Sequence, residues 1–139
     1  MPEGLHRSHD TDLYVDIDTD DVTKIPTGKT LQTEDAILYS FEDNIIASTT
    51  QTQGEQPLTK ELNFVATVAN GDDVVTMPPA APGKKILVAN NGANTLQIFP
   101  ATGDNFQSLG TNASTTIASD QSKIFFTTNS AEWAVIPSI

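Results

Sequence analysis

Short apolar runs alternate with turn residues through residues 74–100, and this alternation constrains the fold more than any other feature of the sequence. The first run covers residues 74–77 and ends at two prolines, the second is KILVA at 85–89, and the third is LQIF at 96–99. Branched side chains in these runs suit the pleated surface of a strand. Residues 90–94 are rich in Asn and Gly, which tolerate positive φ. The sequence therefore predicts that the second and third runs pair as a β-hairpin.

Further strands are predicted at short, even intervals after residue 60, at 62–69, 115–118, 123–128 and 132–136. Turn residues separate them, and no helical period lies between them. The long loop at 101–112 contains one candidate for burial, Phe106. This pattern is typical of a mainly β fold, and it predicts an antiparallel β-sandwich or jelly roll domain over residues 61–139.

Residues 1–60 are predicted to form an N-terminal extended arm with a short strand at 13–18, one amphipathic helix at 34–47 and a polar linker at 48–60. Because a single helix cannot bury its own apolar stripe, it must pack on the β domain, on a neighbouring copy or on another protein. The candidates for partner binding are the apolar residues of the strand and the helix, namely Leu13, Val15, Ile17, Ile37, Phe41 and Ile45.

The formal charge of −11 argues against nucleic acid as a partner, because the chain repels phosphate backbones. Residues 1–60 carry a net −8 and residues 61–139 a net −3. No apolar run reaches the roughly 20 residues that a membrane span needs, so no membrane partner is expected. The chain has no cysteine, which excludes disulfides and thiolate metal sites.

Candidate catalytic residues are few, and we expect neither an enzyme nor a cofactor. Both histidines fall within the first nine residues, so a nucleophile would lack an ordered base. The carboxylates between Asp16 and Asp21 leave a calcium site open, although they do not match an EF-hand loop. Trp133 and Phe106 would suit a carbohydrate-binding module if either ring were exposed.

One resemblance adds to this interpretation. PPAAPGKKILVANNGANTLQIFPATGD, followed by a Gly-Thr-Asn-Ala loop, a Thr-rich strand, an aromatic strand and Trp133, resembles small β-domain proteins of tailed bacteriophage virions. The resemblance covers residues 74–136. It implies a structural role like that of capsid decoration or cement proteins. Residues 13–57 show a weaker resemblance to the start of phage baseplate wedge proteins.

The resemblance thus implies a protein on the outer surface of the capsid, with the major capsid protein as its partner. We expect it to self-associate, as a trimer at local three-fold positions, where repeated weak contacts would add up. The alternatives are a tail fibre, neck or baseplate component, or a carbohydrate-binding module.

Overall fold

The computed structural model describes residues 39–137, which form nine strands and no helix. The strands are β1 (Phe41–Ile46), β2 (Leu62–Thr67), β3 (Val74–Thr76), β4 (Lys85–Asn90), β5 (Leu96–Phe99), β6 (Asn105–Phe106), β7 (Thr115–Ile117), β8 (Gln121–Phe126) and β9 (Glu132–Pro137). A six-stranded sheet has the order β1-β2-β4-β8-β9-β6, and a three-stranded sheet has the order β3-β5-β7. The mainly β prediction is confirmed.

The chain winds between the two sheets as in a solenoid. It passes from β2 to β3, then from β4 to β5, and each strand lies parallel to its counterpart from the previous turn. Antiparallel pairing occurs at β7, which pairs with β5, and at β8, which pairs with both β4 and β9. The predicted antiparallel sandwich or jelly roll is therefore wrong, because the pairing is mixed. Evenly spaced turn residues occur both in hairpins and in turns that carry the chain from one sheet to the other, so they do not distinguish the two folds.

The hairpin predicted between KILVA and LQIF is also wrong, because β4 and β5 belong to different sheets. Residues 91–95 carry the chain across the corner instead of reversing it. Asn94 Nδ2 donates to the carbonyl oxygens of Val68 and Ala69, at 2.9 and 3.0 Å. These residues lie in the turn of the preceding winding, so the Asn side chain holds two turns together.

The region of the predicted helix contains a strand. Residues 34–38 lie outside the described part of the chain, and Phe41–Ile46 pairs in parallel with β2. Asn44 has a φ of 58°, which an α-helix excludes, and the register shifts around it as in a β-bulge. The neighbouring branched residues Ile45 and Ile46 favour a strand. Pairing with β2 thus overrides an i, i+4 pattern that a short apolar segment shows by coincidence.

Residues 48–58 run alongside β3 rather than away from the sheets. Ser48 and Val74 form an antiparallel bridge, and Pro57 and Thr76 form a parallel one. Leu58 is buried in the same core as the later strands. The domain boundary at residue 60 stays a prediction, while the polar segment before it extends the three-stranded sheet by two local bridges.

The core lies between the two sheets. It is filled by side chains that alternate along β2, β4 and β5, while β3 is buried throughout. Trp133, Phe106 and Phe125 are its largest members, and the two Phe rings lie 5.3 Å apart in a tilted arrangement. The prediction that Phe106 is buried is confirmed. Since Trp133 is also fully buried, neither ring is available to stack on a sugar. The carbohydrate-binding alternative loses the aromatic platform that it required.

A corner of buried polar residues fixes the spacing of the windings. Asn90 is fully buried and donates through Nδ2 to the carbonyl oxygens of Asn94 and Ile117, at 2.8 and 3.0 Å. Its Oδ1 accepts from the Gly92 N–H at 3.0 Å. All the hydrogen-bonding groups of this amide are thus used inside the fold, which makes its burial favourable.

Asp73 occupies the equivalent corner one winding earlier. Burial raises the pKa of its carboxyl, but hydrogen bonds from the Asn70 backbone and side chain, from Gln51 and from the Ala69 backbone together hold that pKa below its usual range. The Asn70 N–H lies 2.8 Å from Asp73 Oδ2. The carboxylate therefore has a structural role, as the acceptor that closes this turn.

Candidate docking face

The side of the six-stranded sheet that faces away from the core is apolar. Along β2 and β4 the inward residues are buried, as is Phe125 in β8, and the residues between them point outward. We call these outward residues, with their neighbours on β1 and β9, the outer face. Its large side chains are Phe41, Leu62, Phe64, Leu87, Ile124, Phe126 and Ile136.

Five of these side chains form one continuous row. Phe41 is in register with Leu62, Leu62 with Leu87, Leu87 with Ile124, and Ile124 with Ile136. Strands are about 4.8 Å apart, so the row extends across roughly 19 Å. It is only partly covered at its centre, and its two ends are open, with Phe41 62% and Ile136 52% exposed.

A sheet whose two faces are both apolar is typically packed against other structure on both faces. The runs KILVA and KIFF are apolar at consecutive positions, whereas a sheet with one wet face alternates apolar with polar residues. Among residues 39–137, nothing packs over the outer face as the three-stranded sheet packs over the inner one. Contiguous apolar surface of this kind marks an interaction site in many soluble proteins.

The bulge in β1 determines which of its side chains join this face. One extra residue around Asn44 shifts the alternation, so that Ile45 points into the core and Ile46 points out. Ile46 is 63% exposed, while Ile45 is almost fully buried. Tyr39, two residues before Phe41, is also largely exposed. The bulge thus adds Ile46 to Tyr39 and Phe41, so that three large apolar or aromatic side chains are exposed at this edge of the sheet.

A cleft of about 590 Å³ lies beside the outer face, where β1, β2 and β4 begin. Its lining includes Tyr39, Lys60, Glu61, Lys84 and Lys85. Residues 39–137 contain four Lys and no Arg, and three of these four Lys line this cleft. We call it the lysine cleft. The fourth, Lys123, points between the sheets and donates to Thr115 Oγ1, and burial lowers the pKa of its ammonium group.

Contacts around the lysine cleft hold its rim in place. Lys85 Nζ lies 4.8 Å from the centroid of the Tyr39 ring and 3.4 Å from its hydroxyl. Lys84 Nζ donates to the Pro79 carbonyl at 2.7 Å. The Glu61 carboxylate accepts from the Ser40 N–H at 3.0 Å. Within the described residues none of the three Lys is in an ion pair, so their charges are not neutralised locally.

A smaller pocket of about 100 Å³ connects the cleft to the outer face. Lys85 and Tyr39 form one side of it, and Leu62, Leu87 and Ile124 form the floor. The three floor residues belong to the apolar row. The pocket therefore joins an apolar surface to a positive rim.

Of the predicted partner-binding residues, only Phe41 is exposed on a described surface. Ile45 packs in the core, so its side chain stabilises the domain and cannot contact a partner. Leu13, Val15, Ile17 and Ile37 lie outside the described residues. Sequence reasoning missed the outer face and the lysine cleft. The available signals were the unbroken apolar runs in β4 and β8 and the Lys pair at their edge.

No metal-binding group is found in residues 39–137. They hold no group of three or more His, Cys, Asp or Glu residues that could bind a metal, and no helix able to cross a membrane. Asp104, which is buried, accepts from the Ala80 N–H at 2.7 Å and so fixes a loop. The candidate calcium carboxylates between Asp16 and Asp21 fall outside this part of the chain.

Comparison of the chain with protein-family models, with curated proteins and with solved structures finds no match. Any assignment of function must therefore rest on the outer face and on the sequence.

Proposed function

We propose that this chain is a non-enzymatic structural protein of a bacteriophage virion, and that it binds the outer surface of the capsid as a decoration or cement protein. The observation that carries the proposal is the apolar outer face of the six-stranded sheet. The major capsid protein is the proposed partner, and the resemblance over residues 74–136 is the reason for choosing a virion.

The outer face has the chemistry of a docking surface. A stable interface combines an apolar centre with a polar rim, and here the row from Phe41 to Ile136 provides the centre. The lysine cleft provides part of the rim. Aromatic side chains such as Phe41 and Tyr39 contribute much of the binding free energy at interfaces, because they bury large areas at small entropic cost.

The antiparallel sandwich that the strand pattern predicted is not the observed fold, and the fold adds no support to the resemblance. Support comes instead from the surface and from the charge. A strongly acidic chain suits a position outside the genome compartment, where no phosphate backbone is bound. In a symmetric oligomer, the proposed trimer, weak contacts through several copies of the outer face would combine into tight attachment.

The test is co-sedimentation of the purified chain with phage heads stripped of minor proteins, with purified tails run in parallel. The variant Phe41→Ser with Ile136→Ser removes both open ends of the row. Because each side chain is more than half exposed, both substitutions should leave the core intact. Leu109→Ser is the control, since Leu109 is 43% exposed on a loop away from the outer face.

Saturable binding to heads at a stoichiometry that follows the shell lattice is the expected result. Burying an apolar side chain contributes roughly 1.5–3 kcal/mol, so losing two half-exposed ones should weaken binding at least about 10-fold. The Leu109→Ser control should bind as the natural chain does. Binding to tails alone would favour the fibre, neck or baseplate alternative. Equal binding by all three proteins would mean that another surface attaches the chain.

A further inference from the structure

We infer that the lysine cleft binds the carboxylates of an acidic, extended segment of the partner protein, while an apolar residue of the same segment enters the adjoining pocket. The inference rests on the proposed function, because it assumes that the outer face docks on another protein. It adds the chemical character of the segment that docks there.

Charge is the first argument for an acidic occupant. Residues 39–137 carry nine acidic and four basic side chains, yet three of the four basic ones surround a single cleft. The only carboxylate in the lining belongs to Glu61, and it is already bound by the Ser40 N–H. Lys84 and Lys85 donate to the neutral oxygens of Pro79 and Tyr39, and among the described residues no Lys of the cleft is in an ion pair with a carboxylate. The cleft is therefore a local positive site on an acidic protein, complementary to carboxylates.

Spacing along β4 is the second argument. Lys85 and Leu87 are two residues apart on the same side of the strand, hence about 7 Å apart. Both line the small pocket. An extended partner segment also repeats every second residue on one side. A large apolar residue over Leu87 would then place a carboxylate two positions away over Lys85, where the Tyr39 ring holds the ammonium group.

Carboxylates fit this site better than phosphates. Three Lys provide point charges that attract either anion, and residues 39–137 contain no Arg, so the preference depends on the wall of the cleft. Glu61 in the cleft wall repels a doubly charged phosphate more strongly than a singly charged carboxylate.

The experiment measures binding of a fluorescent copolymer of glutamate and tyrosine to the full chain by anisotropy, at low and moderate salt. Poly-glutamate and inorganic polyphosphate are the comparison ligands. The test variant is Lys60→Gln with Lys85→Gln. The control, Gln107→Glu with Ser130→Glu, lowers the net charge equally, and both of its positions are exposed and distant in sequence from the cleft lining.

We expect saturable binding of the copolymer that weakens as salt is added, and that is tighter than binding of poly-glutamate. Exposed ion pairs are worth up to about 1 kcal/mol each, so the Lys variant should bind roughly 10-fold more weakly than the control. Equal affinities of variant and control, tighter binding of polyphosphate, or no saturable binding of the copolymer would each overturn the inference.

Head binding separates this inference from the proposed function. Suppose that the Lys variant attaches to stripped heads normally while Phe41→Ser with Ile136→Ser does not. Docking through the outer face would then be supported, and binding of an acidic segment in the lysine cleft would be refuted. If neither variant changes head binding but the copolymer still binds through the Lys residues, carboxylate binding by the lysine cleft would be supported and docking through the outer face would be refuted.

Discussion

Replacement of Gly92 by Ala tests how closely successive windings of the chain pack. A Cβ at this position would lie 2.6 Å from the Val68 backbone nitrogen and 2.8 Å from Val68 Cγ2. Both atoms belong to the turn of the preceding winding. Because the closest atom is backbone, no side-chain rotation can relieve the contact, and one turn must move away from the other.

The size of the movement sets the expected cost. The shortest contact must lengthen by about 0.8 Å to reach the 3.4 Å at which ordinary van der Waals contact begins. The Asn94 side chain and the Asn91 N–H each cross between the same turns through a 2.9 Å hydrogen bond, and neither survives such a shift. Overpacking costs roughly 1–3 kcal/mol and each lost hydrogen bond roughly 0.5–1.5 kcal/mol. With one overpacked contact and two lost hydrogen bonds, we expect Gly92→Ala to lower the free energy of unfolding by about 2–6 kcal/mol.

Urea unfolding followed by the fluorescence of the single Trp gives the measurement. Gly71→Ala is the matched control, since Gly71 lies in the preceding turn and a Cβ there would meet nothing within 4 Å. With an m-value of about 2 kcal/mol per molar urea, the midpoint of Gly92→Ala should fall by about 1–3 M, whereas the control should stay near the natural chain. Equal midpoints for the two variants would refute the close packing of these turns.

Three further predictions concern the corner and the core. Asn90→Ala removes three buried hydrogen bonds and should cost about 2–4 kcal/mol in urea unfolding, whereas Asn91→Ala, at an exposed side chain, should cost less than about 0.5 kcal/mol. Asp73 has a lowered pKa in the folded state, so its contribution to stability is complete above about pH 4 and is lost as the pH falls through the folded pKa. In Asp73→Asn this part of the acid destabilisation should be absent from a pH series of unfolding curves, and an unchanged acid slope would contradict the assignment. Trp133 is fully buried, so its emission should be blue-shifted and poorly quenched by acrylamide until the chain unfolds; ready quenching of the folded protein would contradict its burial.

Strand positions were predictable from the sequence, but strand partners were not. The runs at 85–89 and 96–99 form strands as predicted, because branched side chains and the flanking Pro and Gly residues act locally. Their partner strands depend on which residues accept hydrogen bonds from the side chains of Asn94 and Asn90. The bonds to Ala69, Val68 and Ile117 join residues 25 or more positions apart in the chain, so a local turn rule does not detect them.

The outer face was hidden for a related reason. An apolar residue on a strand can point to either side of the sheet, and only the register reveals that Phe41, Leu62, Leu87, Ile124 and Ile136 share one side. In β1, a bulge of one residue exchanged the roles of Ile45 and Ile46. No period read from the sequence anticipates such a bulge, and the helical spacing of Phe41 and Ile45 favoured the wrong element.

The most direct test of the docking face is a labelling footprint on the bound protein. Because the chain has no cysteine, Ala66→Cys introduces one thiol on the outward side of β2, and Thr116→Cys introduces one on the three-stranded sheet. Both positions are exposed in the structure, so both thiols should react readily with a maleimide in the free protein. When stripped phage heads are saturated with each variant, we expect the thiol of Ala66→Cys to be protected, because the outer face is covered, and the thiol of Thr116→Cys still to react. Protection at Thr116→Cys with none at Ala66→Cys would contradict docking through the outer face.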